Sequence, residues 1–267
     1  MASLATVTTQ PVKSEKVFWN AFSKCPVALV HTHFDQLRSP SPAACLRLER
    51  PLSPYCVAND TDEWRKSYNP LECCTLTLYS DFSSGGTGRV HTARLEVTTA
   101  IGITHSKDVI VKSAVDPSLR KRIRREYTVY QHLWEHKVDR IPMVYGLFED
   151  IDDMVTFLVI EKFPMSFRDR EPAESAGEGM LLSVTQAERS YCLKIVRDMH
   201  KAGVAHLDLR AENIMVGYDG LPVIIDFEGS CIGPEGWVID KEIEFLQDLL
   251  DGKAKGQFPV YLNLGEE

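Results

Sequence analysis

The sequence predicts an α+β fold, and three observations predict it. Strand-like runs fill the first part of the chain: Thr75–Tyr79, Val90–Val97, Asp108–Lys112 and Met154–Phe163. A single amphipathic helical stretch, Leu119–Trp134, interrupts them. Helical periodicity then dominates the second part, over Ser183–Ala202 and Val238–Leu250. At 267 residues the chain is long enough for one domain of two lobes with a full core.

Taken in order, Met1–Lys16 is polar, rich in Ser, Thr and Val, and reads as a disordered N-terminus. Residues 17–71 form an N-terminal extension with strand-like pieces at Val27–Val30 and Cys45–Leu48 and proline-rich turns between them. It either adds strands to the first lobe or forms a separate cap. A Gly/Ser cluster, Ser83–Arg94, lies between the runs Thr75–Tyr79 and Val90–Val97. In the helix Leu119–Trp134 the apolar stripe is Leu119, Ile123, Tyr127, Tyr130, Leu133 and Trp134. Glu126 lies on that stripe, and a carboxylate on a buried face needs a partner.

Arg168–Gly179 reads as a flexible surface loop. Ser183 with Gln186 suggests a capping box for the next helix, with Ala187, Tyr191, Ile195 and Met199 inward and Gly203 as its stop. Then comes His206-Leu207-Asp208, with Asn213 following. A hairpin is predicted across Tyr218-Asp219-Gly220, because Asp-Gly is a tight-turn signal. The strand-like run Pro222–Ile225 delivers Asp226-Phe227-Glu228. The last helix, Val238–Leu250, is read with Asp240 as N-cap and Ile243, Leu246, Leu249 and Leu250 as its apolar face.

The stretch Met199–Ser230 resembles the catalytic and metal-binding loops of the protein-kinase-like fold, H-x-D-x-x-x-x-N followed by D-F-G. The resemblance covers about Leu76–Leu250. It is nearest to the divergent kinase-like proteins common in fungi, and IIDFEGSCIGPEGW is also similar to aminoglycoside and small-molecule phosphotransferases. It implies a two-lobed fold, with an antiparallel-sheet N-lobe over residues 72–163 and a short, mainly helical C-lobe over 164–267.

It also implies a nucleotide and a metal. Phosphoryl transfer is mostly positioning and charge neutralisation. Asp208 would meet the incoming hydroxyl as base, and Arg210 would neutralise the transferring phosphate. Asn213 and Asp226 would hold Mg²⁺, which takes few protein ligands and keeps its waters. Lys112, ending the V-A-I-K-like run, would contact the phosphates of ATP and pair with Glu126. Laid on G-x-G-x-x-G-x-V, the glycine-rich loop gives Ser83, Gly85, Gly88 and Val90. Adenine would sit against the hinge segment, Ile160, Glu161 and Phe163.

The sequence departs from the pattern at five places, one of them Arg210, which stands where serine/threonine kinases usually place Lys. Leu207 replaces the Arg of H-R-D, and Ser83 replaces the first glycine of the loop. Glu228 replaces the Gly of D-F-G, adding charge near the metal loop. Only 41 residues follow Asp226, and no A-P-E segment appears among them, so a peptide-docking platform is not expected.

Net charge is −8, which does not favour generic nucleic-acid binding. No apolar run resembles a signal peptide or a membrane span, and seven scattered cysteines without a C-x-x-C pair read as reduced thiols in a cytoplasmic protein. His31 and His33 share a strand face, which is more ordinary than a zinc site, and Asn59-Asp60-Thr61 is a glycosylation sequon without a secretory context. Against the acidic background, Arg120–Arg125 holds five basic residues in six, a solvated helix face or a dock for RNA or another phosphate-rich partner.

Three functions remain open. The first is an ATP- and Mg²⁺-dependent phosphotransferase acting on a small molecule. The second is a pseudokinase that binds nucleotide or a partner without turnover. The third is a kinase scaffold reused for other group transfer, including tRNA-dependent transfer through the basic helix.

Overall fold

A computed structural model describes residues 18, 21–22, 25, 27–32, 43–47, 73–85, 88–99, 101–150, 155–170 and 184–254. The expected N-terminus Met1–Lys16, the sequon at Asn59, His33 and most of the loop to Gly179 lie outside these residues. The chain divides into two compact units, one made of 1–117 with 146–159, the other of 118–145 with 160–267.

The first unit is built on strands. They are β1 (Val27–Thr32), β2 (Ala43–Arg47), β3 (Cys73–Gly85), β4 (Gly88–Thr98), β5 (Thr104–Ala114), β6 (Val144–Asp150) and β7 (Val155–Glu161). Hydrogen bonding closes them into a barrel in the order β1-β2-β6-β7-β5-β4-β3, and closure removes the exposed edges an open sheet would leave. The pairs β1–β2, β2–β6, β3–β4 and β4–β5 are antiparallel. The antiparallel sheet expected over 72–163 is present in β3, β4 and β5, and the N-terminal extension adds β1, which runs parallel to β3.

Period-two alternation drives this packing. Along β4, Ala93, Leu95 and Val97 are buried while Arg94 and Glu96 face outward, and on β3 Cys74, Leu76 and Leu78 do the same. Phe18 and Phe22 are buried and stacked at 5.7 Å, with the Lys107 ammonium 5.3 Å from the Phe18 ring centre.

Among its described residues the second unit holds three α-helices: α1 (Pro117–Glu135), α2 (Gln186–Lys201) and α3 (Gly236–Leu250). Helix α1 buries Arg120, Ile123, Glu126, Tyr127, Val129, Tyr130 and Leu133. Trp134, expected on that stripe, is 57% exposed, since it lies one position past the buried row. The capping box of α2 is Thr185 with Glu188, not Ser183 with Gln186: the Thr185 hydroxyl accepts from the Glu188 N–H, and Glu188 accepts from the Thr185 N–H. That register turns Ala187 outward and buries Glu188, Cys192, Ile195, Val196 and Met199. Gly203 follows at φ +75°, the left-handed stop expected of it.

The loop expected from Arg168 begins as a short 3-10 turn, Arg168–Arg170, and Arg170 pairs with Glu188 at 2.5 Å. Helix α3 starts at Gly236 rather than near Asp240, with Glu235 at the N-cap making no side-chain cap bond. Short strands complete the unit: β8 (Met165–Ser166), β9 (Val204–Ala205), β10 (Ile214–Val216), β11 (Pro222–Ile224) and β12 (Cys231–Ile232). No helix among the described residues is long and apolar enough to cross a membrane. Cys25, Cys74, Cys192 and Cys231 are free thiols, and burial pushes the Cys192 thiol up to about 12.

Candidate functional site

Two short sheets deliver the loop residues of the second unit. Strands β10 and β11 form the predicted hairpin, in register Ile214↔Ile224 through Val216↔Pro222. Its tip turns at Gly220, φ +81°, and Arg140 Nη2 holds Asp219 at 2.7 Å. Strand β12 pairs with β9, Cys231 opposite Ala205, which brings the chain after Asp226 back beside the chain before His206. Ile225 then donates to the Asn213 carbonyl at 3.0 Å, placing Asn213 next to the residue that precedes Asp226.

The side chains finish the assembly. Asn213 Nδ2 donates to the Asp208 carbonyl at 2.9 Å and to Asp208 Oδ2 at 3.1 Å. The Asn213 amide nitrogen is thus turned to Asp208, which leaves its side-chain oxygen as the acceptor end. Arg210 Nε stands 3.4 Å from Asp208 Oδ2. Burial pushes the Asp208 carboxyl above its ordinary range; the charge of Asp226 adds to the rise, and Arg210 and His206 oppose it. Hard oxygen donors of this kind suit Mg²⁺, which binds through one or two carboxylates plus substrate oxygens rather than a full protein cage. No cluster of three or more His, Cys, Asp or Glu arranged as a cage occurs among the described residues.

Main-chain geometry is special at two places. Leu207 and Asp226 both have positive φ, 65° and 68°, a conformation that costs non-glycine residues energy and that surrounding bonds must hold. At Leu207 the holding group is Glu242 of α3, which is fully buried. Its Oε1 accepts from the Leu207 N–H at 2.6 Å, and its Oε2 accepts from the His206 N–H at 3.2 Å and from His200 Nε2 at 2.7 Å. Sequence reasoning missed Glu242. The signal was present, since Val238 and Leu246 flank it at i−4 and i+4 on a buried face, the same logic that marked Glu126.

His206 is also fully buried: its Nε2–H donates to the Ile225 carbonyl at 2.8 Å, and its Nδ1 accepts from the Asp208 N–H at 3.3 Å. An aromatic column runs through the region, with Tyr130 edge-on to Phe227 at 4.9 Å and Phe227 tilted against His206 at 4.9 Å.

The segment that follows Asp226 is also tied to α1. Arg122 Nη1 meets Glu228 Oε1 at 3.4 Å, and Arg125 Nη2 donates to the Ser230 carbonyl at 3.1 Å. The basic run Arg120–Arg125 is thus not one uniform exposed face: Arg120 is buried, and two more of its members serve this loop. In the stretch that ends β7 and follows it, Ile160 and Phe163 are buried, Glu161 Oε2 accepts from the Met143 N–H at 3.1 Å, and Tyr218 donates to the Lys162 carbonyl at 2.9 Å. Glu126 is fully buried in α1.

The remaining candidates belong to the first unit. Lys112 is buried on β5, and its cross-strand neighbour on β4 is Val90. Val90 pairs on its other side with Ser83, and Gly85 pairs with Gly88 at the end of the β3–β4 hairpin. Gly88 has a packing reason of its own: at φ +120°, a Cβ there would stand 2.3 Å from the Ser113 carbonyl oxygen.

No protein-family model matches the chain. A serine/threonine-protein kinase of Arabidopsis thaliana is 28% identical over 167 residues, 60% of this chain and 26% of the relative. A probable serine/threonine-protein kinase of Candida glabrata is 47% identical over 45 residues, 17% of this chain and 6% of the relative. The chain thus spans about a quarter or less of the length of these curated relatives. It is distantly similar to serine/threonine-protein kinases.

Proposed function

We propose that the chain is a kinase-like phosphotransferase using ATP and Mg²⁺, with a small hydroxylated or amino compound as acceptor. One observation carries the reading: Asp208 is hydrogen-bonded to Asn213, and Asn213 is bonded in turn to the chain entering Asp226. Asp208 is the base, and its burial makes it more basic than a free carboxylate. Asn213 and Asp226 would hold Mg²⁺, whose charge would offset that of the phosphates. Arg210 would meet phosphate charge through its fork of N–H groups. Lys112 and Glu126 orient the phosphates, and Ser83, Gly85, Gly88, Val90 and the segment Ile160–Phe163 bind the nucleotide.

Two features support a small acceptor. Protein kinases carry an activation loop, with its phosphosite, between the metal aspartate and the next motif. Here α3 begins at Gly236, ten residues after Asp226. Leu207 also occupies the position of the arginine in H-R-D, with its N–H held by Glu242.

The test is transfer of the labelled γ-phosphate of ATP to a panel of sugars, amino alcohols and aminoglycosides, for the protein and for Asp208→Asn. A phosphorylated product whose formation falls about 10³-fold or more in the variant is expected. Equal, negligible transfer by both across the panel and with peptides would favour the pseudokinase.

A further inference from the structure

Asp226 keeps a left-handed backbone, φ 68°, where the chain passes from β11 to β12. For a residue other than glycine that conformation costs energy, and it lasts only where the surroundings over-determine it. The residues that follow supply two anchors. Phe227 is fully buried, with the Tyr130 and His206 rings each 4.9 Å away. Ser230 is fully buried too: its N–H donates to the Phe227 carbonyl at 3.2 Å, and its hydroxyl donates to the His206 carbonyl at 3.2 Å.

Between these anchors stand Glu228 and Gly229. Glu228 lies outside the left-handed region, and its side chain is 23% exposed, so neither its backbone nor core packing calls for a carboxylate there. What the carboxylate does is reach helix α1: its Oε1 meets Arg122 Nη1 at 3.4 Å. Arg125 follows Arg122 by three residues, on the same face of the helix, and its Nη2 donates to the Ser230 carbonyl at 3.1 Å. Two guanidinium groups of α1 thus grip the stretch on either side of Gly229.

We propose that Arg122 and Glu228 are positioning residues: their ion pair, with the Arg125 bond beside it, latches residues 226–230 to α1 and keeps Asp226 in the conformation that takes Mg²⁺. Without the latch only a fraction of molecules would carry Asp226 in that conformation, and the apparent affinity for Mg²⁺ would fall by that fraction. The pair is open to solvent, so the fall is modest, about two- to fivefold. The inference rests on the reading of Asp226 as a metal-binding residue.

The experiment is thermal unfolding of the whole chain, of Arg122→Gln, of Glu228→Gln and of the double variant, at fixed ATP over a titration of MgCl₂ in low salt, with ATP plus EDTA as the baseline. Each single variant should raise the Mg²⁺ midpoint about two- to fivefold. The double variant should raise it no further than either, because all three lose the same pair. The differences should shrink in high salt. If Glu228 acted on the metal only as a bare charge through space, the signs would differ: Glu228→Gln would weaken Mg²⁺ binding and Arg122→Gln would strengthen it. Opposite signs, or effects that add in the double variant, overturn the latch. Midpoints unchanged in both single variants also overturn it and leave the phosphotransferase reading intact. A parent chain with no Mg²⁺-dependent shift removes the metal site itself, and the latch with it.

Discussion

Arg122 and Glu228 are joined across 106 residues of sequence, guanidinium to carboxylate at 3.4 Å. Glu228 stands where the kinase pattern has the glycine of D-F-G, and the pair explains how a charge is tolerated there. The glutamate is turned to helix α1, and Arg125 holds the Ser230 carbonyl beside it. Two basic residues of a run that looked like a polyanion dock are thereby engaged in holding the segment that follows Asp226.

This pair is open to solvent on the arginine side, with the Arg122 side chain 57% exposed, so its contribution to stability is small. A double-mutant cycle of Arg122→Ala and Glu228→Gln in urea should give a coupling of about 0.2–1 kcal/mol. The coupling should shrink at high salt. Strict additivity at low salt would show that the two side chains do not interact.

Asp208→Asn should separate stability from activity. The folded-state pKa of Asp208 is raised, so between pH 3.8 and that raised value the unfolded chain ionises first and stability falls as pH rises. Above both values the half-buried carboxylate is a standing cost. Removing it should leave the melting temperature at pH 7 equal to or above that of the parent chain, while turnover falls. The advantage should vanish below about pH 3, where both states are protonated. A variant that melts lower at pH 7 would mean that the bond to Asn213 outweighs the cost of burial.

Glu242→Ala should be among the most damaging substitutions. It strips the acceptor from two loop N–H groups and from His200 inside the core. A loss of about 3 kcal/mol is expected, because buried donors are left unsatisfied. Glu242→Gln, which keeps one acceptor oxygen, should lose less. Urea unfolding of both variants measures the difference, and a harmless alanine would show that the loop holds its conformation without the clamp.

Acid titration should report the hairpin. The hydrogen bond from Arg140, supported by the Leu221 N–H, lowers the Asp219 carboxyl to about 2. A depressed folded pKa gives stability that is present above 3.8 and lost as pH falls through the folded value. Asp219→Asn should therefore lack part of the stability loss seen in the parent chain between about pH 4 and pH 2. Identical acid-unfolding curves would contradict the pairing. The pair is exposed enough that the effect should be modest.

Much of the fold was legible because local signals were strong. Alternation marked β4 and β5, the Asp219-Gly220 dipeptide marked the hairpin, and Glu126 declared itself by lying on an apolar stripe. What escaped depends on contacts between segments distant in sequence. The parallel pairing of β1 with β3 is one case, since the intervening β2 carries no sign of which edge it will take. The cap at Thr185 is another, because Ser183-Gln186 and Thr185-Glu188 are equally good boxes until the helix register is fixed. Glu242 was readable by the rule used for Glu126, but its partners are main-chain groups, which leave no mark in the sequence.

The measurement that tests the central claim most directly is thermal unfolding with ATP plus Mg²⁺, with ATP plus EDTA, and without ligand, on the chain and on Lys112→Ala and Asp226→Ala. A ligand that binds only the folded state raises the melting temperature by mass action, roughly 5–10 °C at a hundredfold excess over Kd for a chain of this size. The account predicts a rise that needs Mg²⁺ and is lost in both variants. No rise at millimolar ATP, or a rise that survives both substitutions, would contradict it.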